Sequence, residues 1–245
     1  NQFRTLDQVA YYGVAIYIAT SIIVPTRAMH QITYPMTANY LNSGNYFELE
    51  NLYKKTSLTS FIASGILFVL IVLNLNDLYL MIPQEYRDGF FIVFLIGMAR
   101  VFDSLLGNIT AILYYSEYYK WVLAMGICFA TVTILLNLWL IPIYGIEGAA
   151  MASFTAIFLF NLSKMVFVKL KFGMLPITTA TFKVFATLLL IGALFGMLQF
   201  PFHPLVNIGL KSALVIAMYL GILFRFDISE DVTGVLVKWL KRKTP

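Results

Sequence analysis

The chain has 245 residues, 60% of them hydrophobic and 12% charged, with 17 Lys and Arg against 12 Asp and Glu. Soluble domains run at about 45–50% apolar and about 25% charged, so a water-facing globular domain is excluded, and the continuous apolar runs, lacking alternation at period two, disfavour a β-barrel. The net charge of +5 gathers at the ends of those runs, which is the pattern of membrane topology and not of nucleic-acid binding.

A helix needs roughly 20 mostly apolar residues to cross about 30 Å of hydrocarbon, and the sequence supplies about seven such stretches, predicting an all-α polytopic bundle. The first runs from about Val9 to Ile32, with Pro25 bending its last third and an end near Pro35. Ser43, Gly44 and Asn45 then read as a turn. Glu48, Glu50, Lys54 and Lys55, set between Phe47, Leu49, Leu52 and Tyr53, predict a short interfacial helix over Asn42 to Lys55. The second crossing spans about Thr56 to Leu75, and Asp77, Glu85 and Asp88 fall in a solvated loop before the third, about Phe90 to Tyr114.

A tight connection at Glu117 and Lys120 leads to the fourth crossing, Trp121 to Ile141, closed by Pro142, Tyr144 and Gly145. The fifth covers Gly148 to Val168, opening on a small-residue surface of Gly148, Ala149, Ala150, Ala152 and Ser153 suited to close helix packing. After Lys169, Lys171, Gly173 and Pro176, the sixth crossing runs from Thr181 to Phe200 and the seventh from Leu205 to Phe224. Val232, Val235, Leu236 and Trp239 recur at helical spacing before Lys241, Arg242 and Lys243, predicting an amphipathic surface helix in a basic tail. The organisation expected is 1–173 for five crossings, 174–225 for two more, and 226–245 for the tail.

Lys54, Lys55, Lys120, Lys169, Lys171, Lys183 and the tail lysines fall on one side of this topology; Arg4, Arg87 and Lys211 fall on the other. The first side is expected to be cytoplasmic, with the C-terminus inside. The chain opens at Asn1 and enters a hydrophobic helix directly, which reads as a piece of a longer protein.

Charge at mid-bilayer costs from about 2.5 to more than about 10 kcal/mol, so Arg100 and Asp103, at i, i+3 spacing in the third crossing, are expected to face protein or water, with Asn108 about two turns on. Two readings stay open: Arg100 contacts an anionic substrate with Asp103 orienting it, or the two form a mutually satisfied pair. Arg27 is a second cavity candidate, whereas His30 beside it and Lys164 are expected to snorkel to the headgroups. Two histidines far apart, one cysteine, and no HExxH or GxSxG leave no assembled metal site or catalytic triad, so neither an enzyme nor a resident cofactor is expected.

Three strings, "YYGVAIYIATSIIVPTRAMHQITYPMTANYLNSGN", "DLYLMIPQEYRDG" and above all "LLNLWLIPIYGIEGAAMAS", resemble polysaccharide flippases of the multidrug/oligosaccharidyl-lipid/polysaccharide exporter superfamily. Asn137, Ile141, Pro142, Tyr144, Gly145, Gly148, Ala149 and Ala150 carry the match, which covers about Val9 to Gly173. The resemblance implies the second lobe of a two-lobed transporter without its first helix, plus two extra C-terminal helices, in a bacterial inner membrane. It further implies that undecaprenyl-pyrophosphate-linked oligosaccharide is flipped between leaflets by alternating access, with membrane lipids and the absent N-terminal lobe as partners. A multidrug or cation antiporter of the same superfamily is the alternative, with Asp103 as the ion-coupling acid. A seven-helix receptor and a membrane-embedded glycosyl- or acyltransferase are the readings from other classes.

Overall fold

The computed structural model describes residues 6–84, 87, 89–198, 200–229 and 234, with side chains from Tyr11 onward. Among the described residues the regular elements are all helices: α1 (Leu6–Thr20), α2 (Val24–Asn42), α3 (Tyr46–Leu80), α4 (Phe90–Leu105), α5 (Ile109–Tyr115), α6 (Tyr119–Tyr144), α7 (Ile146–Phe172), α8 (Thr179–Gly196) and α9 (Pro204–Arg225). Six helical stretches are long and apolar enough to cross a membrane, counting Tyr11–Asn42 as one, and the pair α4–α5, bent by 55°, makes a seventh. The chain is an all-α polytopic bundle of the expected kind.

The first crossing is interrupted by a one-turn 3-10 segment, Ser21–Ile23, so that Pro25 falls in the opening turn of α2, where its missing N–H costs little. Pro35 does not end the helix. It sits inside α2 on the same outward face as Gln31, four residues back, while on the buried side Thr33 and Thr37 bond the carbonyls of Met29 and Thr33.

The separate interfacial helix expected over 42–55 does not form. Asn45 caps α3 by accepting from the Glu48 N–H, and the helix then runs unbroken for 35 residues, about 52 Å at 1.5 Å per residue. Its charged first turns continue the crossing because Leu49 and Tyr53 are wholly buried against Leu106, Ile109 and Leu113 of the α4–α5 region. Asp77, expected in a loop, lies in the last turn of α3; Glu85, Asp88, Arg4 and the amphipathic tail beyond Ser229 fall outside the described residues, Gly234 apart.

α3 is the axis of the bundle, with α2, α4, α8 and α9 packed around it. The stripe Asn207, Lys211, Val215, Tyr219 and Leu223 buries one face of α9, and Thr181, Val184, Leu188, Ile191 and Phe195 bury one face of α8, both at the spacing of a single helix face. Gly65 admits the Leu188 side chain where a Cβ would collide with it. Lys211, counted from sequence among the charges of the outer side, is buried, 3.9 Å from Asp77 and donating to the Leu73 carbonyl; Asn207 donates to the same carboxylate.

On the other flank α7 packs against α4, α5 and α6. Gly148, Ala150 and Ala152 of the expected small-residue surface are buried along α7, with Ala156 a turn beyond them, and a Cβ on Gly148 would strike the Leu140 carbonyl. α6 exposes Trp121, Leu123, Ile127, Leu138 and Trp139, the side expected to meet acyl chains. Its two tryptophans stand 18 residues apart, about 27 Å, the spacing of the two interfaces.

The fold gathers the basic residues at one end. Lys171 lies over the Tyr118 ring next to the start of α6, Tyr46 at the start of α3 meets Phe172 at the end of α7, and Lys54 and Lys55 share a crevice with Thr178 and Ile228. The Asp77–Lys211 contact and the α8–α9 turn share a crevice towards the other end.

Pro142 lies inside α6, and the turn into α7 is made by Gly145 alone, at φ 64° and ψ −137°, a region open essentially to glycine. Gly145→Ala is expected to destabilise the protein by about 1–3 kcal/mol, measured as a lowered thermal unfolding midpoint in detergent; an unchanged midpoint would refute the strain. Lys211→Met is expected to cost about 3 kcal/mol by leaving Asp77 without its partner, and Asp77→Asn added to it should recover part of the loss in the same assay.

Candidate functional site

A glycine and an asparagine inside an apolar run set the site. Leu106, Gly107 and Asn108 break the third crossing into α4 and α5, with Gly107 at φ 52°. A Cβ there would stand 2.7 Å from the Ser57 nitrogen and 2.9 Å from its Cα, so α3 and the break touch backbone to backbone.

Breaking a helix in hydrocarbon frees carbonyls that no water can satisfy. Ser57 Oγ donates to the Leu105 carbonyl and lies 3.3 Å from that of Pro176. His30 Nε2 is 3.0 Å from the Gly107 carbonyl, and its Nδ1 is 3.3 Å from Tyr34 Oη. Both contacts are satisfied by the tautomer protonated on Nε2, which donates to the carbonyl and accepts from the tyrosine. Asn108 Nδ2 donates to Thr37 Oγ1 at 2.6 Å, and Thr26 joins Ser104 at 2.8 Å and Ser64 at 3.2 Å. Thr26, Thr33 and Thr37 are buried along α2, with half-buried His30 between them.

Above the break, Arg100 and Asp103 are both half-buried on α4. The mutual pair, one of the two readings of their spacing, is not formed. Asp103 Oδ1 instead accepts from Asn161 Nδ2 of α7 at 3.1 Å, and the buried Nε of Arg100 has no hydrogen-bond partner among the described residues. Helix geometry aims i and i+3 at one face without bringing them into contact, and here α7 supplies the nearer group.

Lys164 does not snorkel. It is 4% exposed, because it continues the buried face of α7 that begins with Gly148, Ala152 and Ala156 and passes through Asn161. Its Nζ sits 4.6 Å from the centre of the Phe160 ring, within electrostatic reach of Asp103. His30 also turns inward, contrary to its expected place among the headgroups; the open Gly107 carbonyl draws it there. His203 is remote from this cluster and caps α9 at the Leu205 N–H.

Of the four candidates, Arg100, Asp103 and Asn108 lie along the broken crossing. Arg27 stands apart on the exposed face of α2, which also carries Gln31 and Asn39. These polar groups stand among exposed Val24, Ile32 and Met36, and a charged group in such apolar surroundings meets lipid only at a cost. Asn161, Ser57 and Thr37 were missed by sequence reasoning, and Lys164 was assigned to the headgroups. The Asn161/Lys164 pair, at i, i+3 in an apolar run like Arg100/Asp103, is the signal that could have found two of them.

No family model, curated protein or solved structure matches the chain.

Gly107→Ala is expected to cost upward of about 3 kcal/mol, since it joins a strained φ to a clash with backbone that cannot rotate away. Retention of the wild-type unfolding midpoint by the purified variant would show that the break tolerates a side chain.

Proposed function

We propose that this chain is part of a flippase that carries undecaprenyl-pyrophosphate-linked oligosaccharide across a bacterial inner membrane by alternating access, in the service of surface polysaccharide synthesis. The observation that supports it best is a pair of separately placed cations within apolar helices: Arg100 half-buried on α4, its Nε without a hydrogen-bond partner among the described residues, and Arg27 exposed on α2. A lipid pyrophosphate cannot enter hydrocarbon as a free dianion, so its carrier must offer fixed cations in a wet, laterally open space. Arginine suits that task because its planar fork keeps its charge and meets phosphate oxygens two at a time. The sequence resemblance in α6 and α7, around Asn137, Pro142, Gly145 and Gly148, points to the same family.

In this reading the basic end of the bundle and the C-terminus face the cytoplasm, and a companion helical lobe covers the polar face of α2. Arg100 would contact the pyrophosphate, Asp103 and Asn108 would shape the polar surface beside it, Arg27 would offer a separate cation at the inner mouth, and no covalent chemistry or prosthetic group is involved. The alternative within the superfamily, a multidrug or cation antiporter, draws its support from Asp103, which has no ion pair within 4.0 Å among the described residues.

Deleting the full-length gene should cause lipid-linked oligosaccharide to accumulate in the inner leaflet while surface glycan disappears, and the intact gene should restore both. In the full-length protein Arg100→Ala should abolish surface glycan at unchanged membrane abundance, with partial activity in Arg100→Lys. Normal glycan in the deletion strain, with altered drug or cation sensitivity, would favour the antiporter instead.

A further inference from the structure

The seam between α4 and α7 holds a charge arrangement that transport of a lipid anion does not by itself require. Lys164 is 4% exposed, and the contact found for its Nζ among the described residues is a ring face, that of Phe160 at 4.6 Å. Its natural counter-ion, Asp103, lies across the same seam but is held by Asn161, one helical turn before Lys164 on the same face of α7. An ammonium buried in hydrocarbon is only partly compensated by an aromatic face. The carboxylate that would complete the compensation is within electrostatic reach of it.

Groups from each neighbouring helix bear on this pair. From α4 come Asp103 and Arg100; from α2, His30 and Tyr34, with His30 within electrostatic reach of both Asp103 and Lys164. α5 brings Tyr114 and Tyr115 within electrostatic reach of Tyr34, which Asp103 also influences, and Cys128 of α6 lines a crevice with Phe160. Asp103 also lies two residues before the end of α4, at the 55° bend, so a change in the bend moves it relative to α7.

We propose that Lys164 and Asp103 form a proton-exchange site in this seam, alternating between the pairing of Asp103 with Asn161 and an ion pair of Asp103 with Lys164. Uptake forms one N–H bond at Nζ, the proton coming from water that reaches the half-buried Asp103 and His30; release returns it to water and leaves the lone pair on nitrogen. A metal cation is a poorer fit to this place. Its usual ligands at a broken helix are the freed carbonyl oxygens, and those of Leu105 and Gly107 already accept from Ser57 and His30. As the coupling step of a transporter, the site rests on the transport reading above; as a titrating pair, it does not.

The test is solid-state nitrogen NMR of the full-length protein, labelled at lysine Nζ, in proteoliposomes, with the Lys164 signal assigned by its loss in Lys164→Met. The expected result is a change between ammonium and amine shifts within about pH 5 to about pH 9, its midpoint displaced by about one pH unit or more in Asp103→Asn. An ammonium signal constant over that range, or a midpoint indifferent to Asp103→Asn, would overturn the proposal. Titration as expected, in a protein whose gene deletion leaves surface glycan intact, would keep the proton site and overturn the flippase. Glycan lost on deletion with a Lys164 that does not titrate would do the reverse.

Discussion

A backbone carbonyl freed inside hydrocarbon has no water to accept from, and the arrangement of the bundle around residues 105–108 answers that constraint. The third crossing bends by 55°, and each side chain that meets its open carbonyls comes from another helix: Ser57 from α3 and His30 from α2. The same demand draws Thr37 to Asn108 and fixes the rotation of α2, since one of its faces must bring Thr26, His30, Thr33 and Thr37 inward. Arg27 is then turned to the opposite, exposed side.

Two kinds of packing meet at that centre. On the α3 side, stripes of α8 and α9 bury apolar side chains against a long axis, with the Asp77, Asn207 and Lys211 contacts closing one end. On the α7 side, glycine and alanine bring helices into close approach, and the same helix face then carries Asn161 and Lys164 opposite Asp103. Small residues allow the α7 backbone to stand near α4, and that nearness lets an asparagine reach the carboxylate.

The polar groups at membrane depth fall into two sets with different physics. The hydroxyls and amides of Thr26, Ser57, Ser104, Thr37 and Asn108 are bonded to one another or to backbone, and they hold a shape. Among the described residues, Arg27, Arg100 and Lys164 are basic side chains with no carboxylate within 4.0 Å. A structure retains such groups at considerable cost, which is why function is sought there and not among the hydroxyls.

The amino-acid sequence by itself determined the solvent, the helical class, the approximate number of crossings and the clustering of positive charge, because these follow from composition, run length and the cost of unpaired backbone in lipid. It also marked the Ser43–Gly44 turn, the Gly145 corner and the small face of α7, where glycine is required by backbone geometry or close approach. Only the tertiary structure decided that residues 46–55 join α3, since Leu49 and Tyr53 find apolar partners from a segment more than 50 positions away. It likewise decided that Asp103 bonds Asn161 in place of Arg100, that His30 and Lys164 turn inward, and that Asp77 meets Lys211. Each of these choices depends on which helix lies alongside, and spacing along one helix carries no information about its neighbour.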